Sequence, residues 1–461
     1  MRKEVKEIYA SYGVDVNKAL KELARTKISL HCWQLDDVNG FEQEGSLTGG
    51  IQTTGNYPGK ARNFKELTQD LDKALSYIPG SKKINLHAIY QTGKIVERNE
   101  VGCEQFKDWV SYAKERGLGL DYNPTIFSHP MLVDGLSLSS PDPKVREYWI
   151  KHCVEGLKIT EYFAKERGLG LDYNPTIFSH PMLVDGLSLS SPDEKVREYW
   201  IKHCVEGLKI TEHFAKETGQ KSLMNIWIPD GLKDVPADRL GPRERLKDSL
   251  DKILAGYKYD KKVMDVSVES KVFGIGVESY TTGSNEFYLN YAASRHICCL
   301  LDTGHFHPTE NVADKISSMF CFYDKLAFHV SRPVRWDSDH VLKLNDDLQD
   351  VADELVKCYG LQRSYIGLDY FDASINRIAA MVIGARNMEK ALLKALLTPW
   401  HLLKKAQDSY DHTQVLALQE ELKTLPWGEV WDEYLKRQGM VSDAQMFEEV
   451  RVYEKEVLSK R

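Results

Sequence analysis

The stretch ICCLLDTGHFHPTENVADKISSMFCFYDKLAFHV, Ile297 to Val330, decides the fold. It opens with a short apolar run, crosses a polar loop into an amphipathic helical segment, and closes with a second apolar run. That order predicts two parallel strands of one sheet joined by a crossover helix. The alternation continues in both directions. Strands are predicted at Ile28–Cys32, Ile84–Ala88, Gly119–Asn123, Leu223–Ile228, Val263–Val268, Ile297–Leu301, Leu326–Val330 and Tyr365–Leu368. Eight strands in this alternation favour an α/β fold of the closed (β/α)₈ TIM-barrel type over an open doubly wound sheet, and no glycine-rich phosphate fingerprint follows the first strand. After Phe371 the chain turns strongly helical. The expected division is a catalytic barrel over residues 1–373 and a C-terminal helical extension over 374–461, which wraps a neighbouring subunit or the barrel's own outside.

The eight strands are counted with one repeated unit taken once. Ala113–Glu161 recurs 51 residues later as Ala164–Glu212, and within that window only Pro143 against Glu194 differs. The duplicated βα unit therefore spans 113–163 and 164–214. Each copy carries one strand-like run, GLGLDYNPT, and one helical run, KVREYWIKHCVEGLKITE. Strand number fixes the tilt and stagger of a barrel, so a ninth strand cannot be inserted without changing its closure. Either copy fits the third position, as does the strand of the first with the helix of the second. The expectation is an extra unit bulging from the surface while the ring of strand ends stays intact. A displaced helix exposes the stripe Val145, Trp149, Ile150, Cys153, Val154 and Leu157, or the same set 51 residues later, unless it docks elsewhere.

Composition narrows the function. With 461 residues, 42% hydrophobic, the chain can bury a large core. Its formal charge of −7 is spread along the chain, which argues against nucleic acid or an anionic membrane as partner. Eight cysteines without a CxxC pair suit a reducing compartment. The charged opening MRKEVKEIYASYGVD lacks the apolar centre of a signal peptide, and no apolar run of spanning length follows. A cytoplasmic location is expected.

The chemistry lies at the carboxyl ends of the strands, where a barrel enzyme carries its active face. Trp33, His87, Asn123, Asp230, Glu269, Asp302, His329 and Asp369 stand there. Glu269, Asp302, His329 and Asp369 come from consecutive strands. Carboxylates crowded at one mouth repel each other unless a cation joins them, and a mixed carboxylate and imidazole set suits Mn²⁺, Mg²⁺, Co²⁺ or Zn²⁺. A second group adjoins the first: His305 follows Asp302 in DTGH, and Asp337 and Asp339 of RWDSD point to one side if extended. One strand-end aspartate alone is often a helix cap, and one histidine alone a structural residue. Seven such residues on the last four strands point to a pair of metal sites.

These residues sit in longer motifs. HCWQ (His31–Gln34), EGSLTGGIQTTGNYPGKARN (Glu44–Asn63), NLHAIY (Asn85–Tyr90), NIWIPDG (Asn225–Gly231), VESKVFGIGVESYTTGSNEFY (Val268–Tyr288), LDTGHFHPTE (Leu301–Glu310), HVSRPVRWDSDHV (His329–Val341) and GLDYFDASINRIAA (Gly367–Ala380) resemble the L-rhamnose isomerase family, in the family's order. The duplicated unit is the one departure. The resemblance implies a structural divalent metal (Mn²⁺, Zn²⁺, Co²⁺ or Mg²⁺) held by Glu269, Asp302, His329 and Asp369. It implies a catalytic Mn²⁺ held by His305, Asp337 and Asp339. Lys271 matches a lysine that holds the substrate oxygen at the reacting end, and Trp33 and His87 match residues lining the sugar pocket.

The implied reaction interconverts L-rhamnose and L-rhamnulose. A hydride moves from C2 to C1, metal-bound water or hydroxide relays the proton between the two oxygens, and His87 assists ring opening. No redox cofactor is required. The glycine-rich segment from Gly45 to Arg62, with Lys60 and Arg62, suits a mobile lid. The expected partner is a small aldose or ketose, and the family resemblance implies a homotetramer. An aldolase or epimerase on the same barrel would use the same ligands and is told apart by its product; a catalytically dead relic would turn nothing over.

Overall fold

The structure, a computed structural model, describes residues 2–34, 41, 57–97, 100–123, 142–167, 187–218, 221–228, 230–271, 279–307, 309–332, 334, 340–370 and 372–461. Eight parallel strands form one sheet: β1 (Lys27–Leu30), β2 (Ser81–His87), β3 (Gly119–Asn123), β4 (Ser222–Trp227), β5 (Met264–Glu269), β6 (Cys298–Asp302), β7 (Leu326–Val330) and β8 (Ser364–Leu368). The helices are α1 (Lys3–Ser11), α2 (Val16–Arg25), α3 (Phe64–Leu75), α4 (Lys107–Arg116), α5 (Pro143–Arg167), α6 (Glu194–Thr218), α7 (Leu240–Gly256), α8 (Asn285–Arg295), α9 (Ala313–Phe320), α10 (Asp346–Lys357) and α11 (Arg377–Leu397). Four shorter helices follow: α12 (Trp400–Asp408), α13 (His412–Lys423), α14 (Trp427–Arg437) and α15 (Asp443–Glu456). This is the α/β barrel sheet expected from the alternation, with strands buried on both faces by their own side chains and by the helices.

The strand order is β3-β2-β1-β8-β7-β6-β5-β4, so each strand pairs with its neighbour in the chain and β1 pairs with β8. Among the described residues no pairing joins β3 to β4, so the sheet described is a curled half-barrel, and the duplicated unit enters between these two strands. The strand of the first copy is β3, paired with β2 from Lys83↔Gly119 to His87↔Asn123. The strand of the second copy lies outside the described residues.

Both copies of the helical run form 25-residue helices, capped alike: Asp142 Oδ1 accepts from Lys144 N and Asp193 Oδ1 from Lys195 N, each at 2.8 Å. The helix of the first copy, α5, lies against α4 and β3; that of the second, α6, lies against β4 and α7, and the two pack on each other. Val145 and Trp149 on α5 and Val196, Trp200, Cys204 and Leu208 on α6 are buried. Neither stripe is left to solvent at these positions, because two helices now cover the ground that one covers between consecutive barrel strands. At the far end of α7, Gly256 carries no Cβ where one would meet Val205 Cγ2 at 2.5 Å, which lets α7 close onto α6.

The segment before α6 is anchored in the second copy. Asp230, just past β4, is buried and accepts from Ser188 N at 2.8 Å, Ser188 Oγ at 2.5 Å, Ser190 N at 3.0 Å and Ser190 Oγ at 2.6 Å. On the other side α7 holds the same backbone, with Ser249 Oγ donating to Leu189 O and Arg245 Nε to Ser190 O. Both oxygens of Asp230 are therefore filled by the second copy. Replacing Ser188 and Ser190 by alanine should lower stability by about 3 kcal/mol in a denaturant titration, since bonds to a buried carboxylate are lost.

After β8 the chain runs into α11, whose residues are buried on nearly every side against α2, α3 and α10, with α14 and α15 packed over it. Within the chain the tail packs on the barrel's own helices. Between α10 and α11, burial pushes the Asp353 carboxyl up to about 6, even though Gln349 Nε2 donates to it at 2.8 Å. The folded chain thus keeps that proton to higher pH than the unfolded chain. The associated stability is full below the ordinary aspartate value and is lost as pH rises through about 6. Asp353→Asn should stabilise the protein at pH 8 by on the order of 2 kcal/mol and change little near pH 4, read from thermal or denaturant midpoints.

Candidate active site

The register of the sheet gathers the predicted carboxylates and imidazoles. Asp302 ends β6 and pairs with His329 on β7, Glu269 ends β5 beside Leu300, and Asp369 follows β8, whose Leu368 pairs with Val330. Glu269 and Asp302 are buried. His329 Nδ1 stands 3.4 Å from Glu269 Oε1, 3.6 Å from Asp369 Oδ2 and 3.7 Å from Asp302 Oδ2. The turn after β6, fixed by Gly304 N donating to Asp302 Oδ1 at 2.7 Å, brings His305 back over the same carboxylates. His305 Nδ1 lies 3.3 Å from Glu269 Oε1 and Nε2 lies 3.6 Å from Asp302 Oδ2. Lys271 Nζ is 3.2 Å from His305 Nε2, buried, and 5.2 Å from the centre of the Trp227 ring. Five of the expected ligands and the lysine thus share one cluster.

Its neighbours hold it in place. Asn225 Nδ2 donates to Glu269 Oε2 at 2.5 Å, and Ser267 Oγ donates to Asn225 Oδ1 at 2.7 Å, so the glutamate is oriented from β4 and from its own strand. The Ser270 carbonyl lies 2.8 Å from His305 Nδ1. Burial works to raise the Asp302 carboxyl, but the imidazoles of His305 and His329 outweigh it and hold the group below the usual range. Burial likewise works to lower His329, and the carboxylates, Glu269 foremost, hold it well above its ordinary value. The imidazolium so favoured stands in for a cation among these acids.

The cluster fits a divalent ion. Nδ1 of His329 is buried and has no hydrogen-bond partner among the described residues. Its separations from the carboxylate oxygens are too long for hydrogen bonds. Ligand atoms about 2.1 Å from one ion and roughly 90–110° apart stand about 3.0–3.4 Å from each other, close to the spacings seen here. Two triads gather their donors, Glu269 with Asp302 and His305, and His31 with His329 and Asp369; within each, one donor atom per residue lies within 4.8 Å of the others.

Asp337 and Asp339, together with Arg335 and Trp336, lie outside the described residues, so of the expected catalytic trio only His305 is described. His87 ends β2, half-buried, its ring 6.4 Å from that of Tyr90; burial, helped by nearby His31, pushes its imidazole down to about 3. Trp33 lies in the 3-10 turn His31–Gln34, and nothing of its side chain is described; the same holds for Asn123 at the end of β3. Asp230 is drawn into the serine network and not into the cluster. Of the expected lid, residues 45–56 lie outside the described residues. Its last part is tied down, Arg62 pairing with Glu66 at 2.6 Å and Tyr57 N donating to Ala373 O at 2.7 Å.

An eight-stranded parallel sheet with flanking helices and acids and imidazoles converging at its carboxyl ends defines a TIM-barrel enzyme. The chain belongs to the L-rhamnose isomerase family and is an isomerase: the family's profile matches residues 2–168 and again 163–461, dividing at the junction between the two copies. L-rhamnose isomerase of Salmonella typhimurium is 49% identical over 458 residues, covering 99% of this chain and 97% of that one, and the enzyme of Salmonella paratyphi B is similar to the same extent. Among solved structures, an L-ribulose 3-epimerase matches with a TM-score of 0.41 at 13% identity over 81% of this chain and 97% of its own. D-psicose 3-epimerase from Clostridium cellulolyticum H10 matches with a TM-score of 0.39 at 11% identity, over 80% and 98%. Among the described residues no helix is long and apolar enough to cross a membrane.

Proposed function

We propose that the chain interconverts L-rhamnose and L-rhamnulose by a metal-dependent 1,2-hydride shift. The observation that carries this reading is the convergence of Glu269, Asp302, His305, His329 and Asp369 around one point, with Lys271 beside them, in a chain of this family. Glu269, Asp302, His329 and Asp369 would hold a structural divalent ion: Mn²⁺, Zn²⁺, Co²⁺ or Mg²⁺. His305, Asp337 and Asp339 would hold the catalytic ion, Mn²⁺. Ions so placed supply Lewis acidity that polarises the sugar carbonyl and stabilises the charge that develops on its oxygen.

The protein's own groups do the rest. Lys271 is a compact cation in a buried setting, restrained by Trp227 and His305, and it grips the oxygen at the reacting end of the open-chain sugar. His87, kept neutral by burial, offers one ring nitrogen as acceptor and one as donor to the ring-opening hydroxyl. Trp33 supplies an apolar wall. In the step itself the hydrogen on C2 leaves with its electron pair for C1, and one proton passes from O2 to O1, so no electron acceptor is needed. The burial of Glu269, Asp302 and Lys271 suits a reaction centre from which water is excluded. The chain works as a homotetramer in the cytoplasm, with residues 1–373 as the catalytic barrel and 374–461 as its helical extension.

Isotope transfer tests the mechanism. L-rhamnose carrying deuterium at C2 should yield L-rhamnulose with that deuterium at C1, followed by proton NMR in ordinary water. Washing out of the label to solvent would instead indicate an enediol route with a side-chain base.

A further inference from the structure

Resting on the reading of this cluster as a metal centre, we infer that His31 is a further nitrogen ligand of the ion held by His329 and Asp369. His31 is the first residue after β1, which pairs with β8 through Ser29↔Gly367 and Leu30↔Leu368, while β8 pairs with β7 through Gly367↔His329. The three strands therefore deliver His31, Asp369 and His329 side by side at one mouth of the sheet. A donor atom of each lies within 4.8 Å of the others. The rings of His31 and His329 meet edge to face, 5.3 Å between centres and 64° between planes.

Gly367 lies directly beneath both rings: a Cβ at that position would touch His31 Nε2 and His329 Cδ2, each at 3.4 Å. Neutral imidazole is a common ligand of divalent metals, and a second nitrogen in an otherwise oxygen-rich set shifts the site towards Co²⁺, Zn²⁺ and Mn²⁺ and away from Mg²⁺. His31 also stands near His87 on the neighbouring strand, so it links the ion to the wall where the sugar's ring is expected to open. The sequence motif HCWQ contains His31, but nothing in its spacing marks it as a ligand.

The test is a Co²⁺ titration of the purified protein, followed by visible absorption and thermal shift, on the wild type, His31→Ala and His31→Gln. The wild type should take up Co²⁺. Both variants should lose at least about tenfold in affinity with a shift in the visible bands, and added imidazole should restore both in His31→Ala. Wild-type protein that binds no Co²⁺ overturns the metal reading itself. Wild-type binding with unchanged affinity or unchanged bands in both variants overturns the role of His31 alone. If His31→Ala does not fold, the bands of His31→Gln decide.

Discussion

Asp302→Asn is expected to lower turnover of L-rhamnose on the order of 10³-fold and to leave the barrel folded. Asp302 stands where both imidazoles meet the acids: Nε2 of His305 lies 3.6 Å and Nδ1 of His329 lies 3.7 Å from its Oδ2. Asparagine keeps the shape and can still accept from Gly304 N, but it carries no charge and is a poor partner for a divalent ion. The ion-free variant should stay folded but melt lower than the wild type, because the carboxylate that the two imidazoles favour has been removed. The rise in melting temperature that Mn²⁺ or Co²⁺ gives the wild type should be largely absent, since a ligand stabilises only in proportion to its binding. Near-normal turnover together with a normal metal-induced shift would remove Asp302 from the site.

Deleting Ala113–Phe163 is expected to raise the melting temperature, on the order of 5 °C or more, and to preserve or increase activity. The deletion removes β3 together with α5 and leaves the identical strand run of the second copy, which would then pair with β2 and lead into the helix that lies against β4 and α7. In the duplicated chain α5 and α6 share the ground beside β3 and β4, and among the described residues these two strands do not pair. With a single unit the third and fourth strands follow one another directly in the chain, as in a barrel of eight strands, and no second helix competes for the ground beside them. The Ser188 and Ser190 contacts with Asp230 survive, because the second copy supplies them. A variant that loses both stability and activity would show that the extra unit has become integral to the fold.

Much of this architecture was legible because strand patterns are local. The runs at Gly119–Asn123 and Leu326–Val330 form strands with the predicted bounds, and Leu223–Ile228, Val263–Val268 and Ile297–Leu301 are displaced by one residue. The first strand shows where pattern misleads. Cys32 is buried, so the apolar alternation runs on past Leu30, yet the backbone has already turned into the 3-10 segment His31–Gln34. Two residues of error moved the apparent strand end from His31 to Trp33, and His31 went unassigned.

Asp230 failed for a different reason. A strand-end carboxylate reads the same whether its partners are an ion or two serines, and Ser188 and Ser190 come from 40 residues or more away in a repeat whose docking copy the sequence left open. Asn225 and Ser267 were missed because they act on Glu269 and not on a ligand directly; an inward-facing polar residue in the middle of a buried strand was the available signal. The placing of α5 and α6 between β3 and β4 depends on how two nearly identical helices share one site, which no local pattern records.

The most direct measurement is the conversion of L-rhamnose by the purified protein with Mn²⁺ present, and again after treatment with a chelator. The account predicts that L-rhamnulose appears, that the chelator stops its formation, and that added Mn²⁺ restores it. Absence of the ketose under every metal tested, or a product with an altered carbon count, would contradict it.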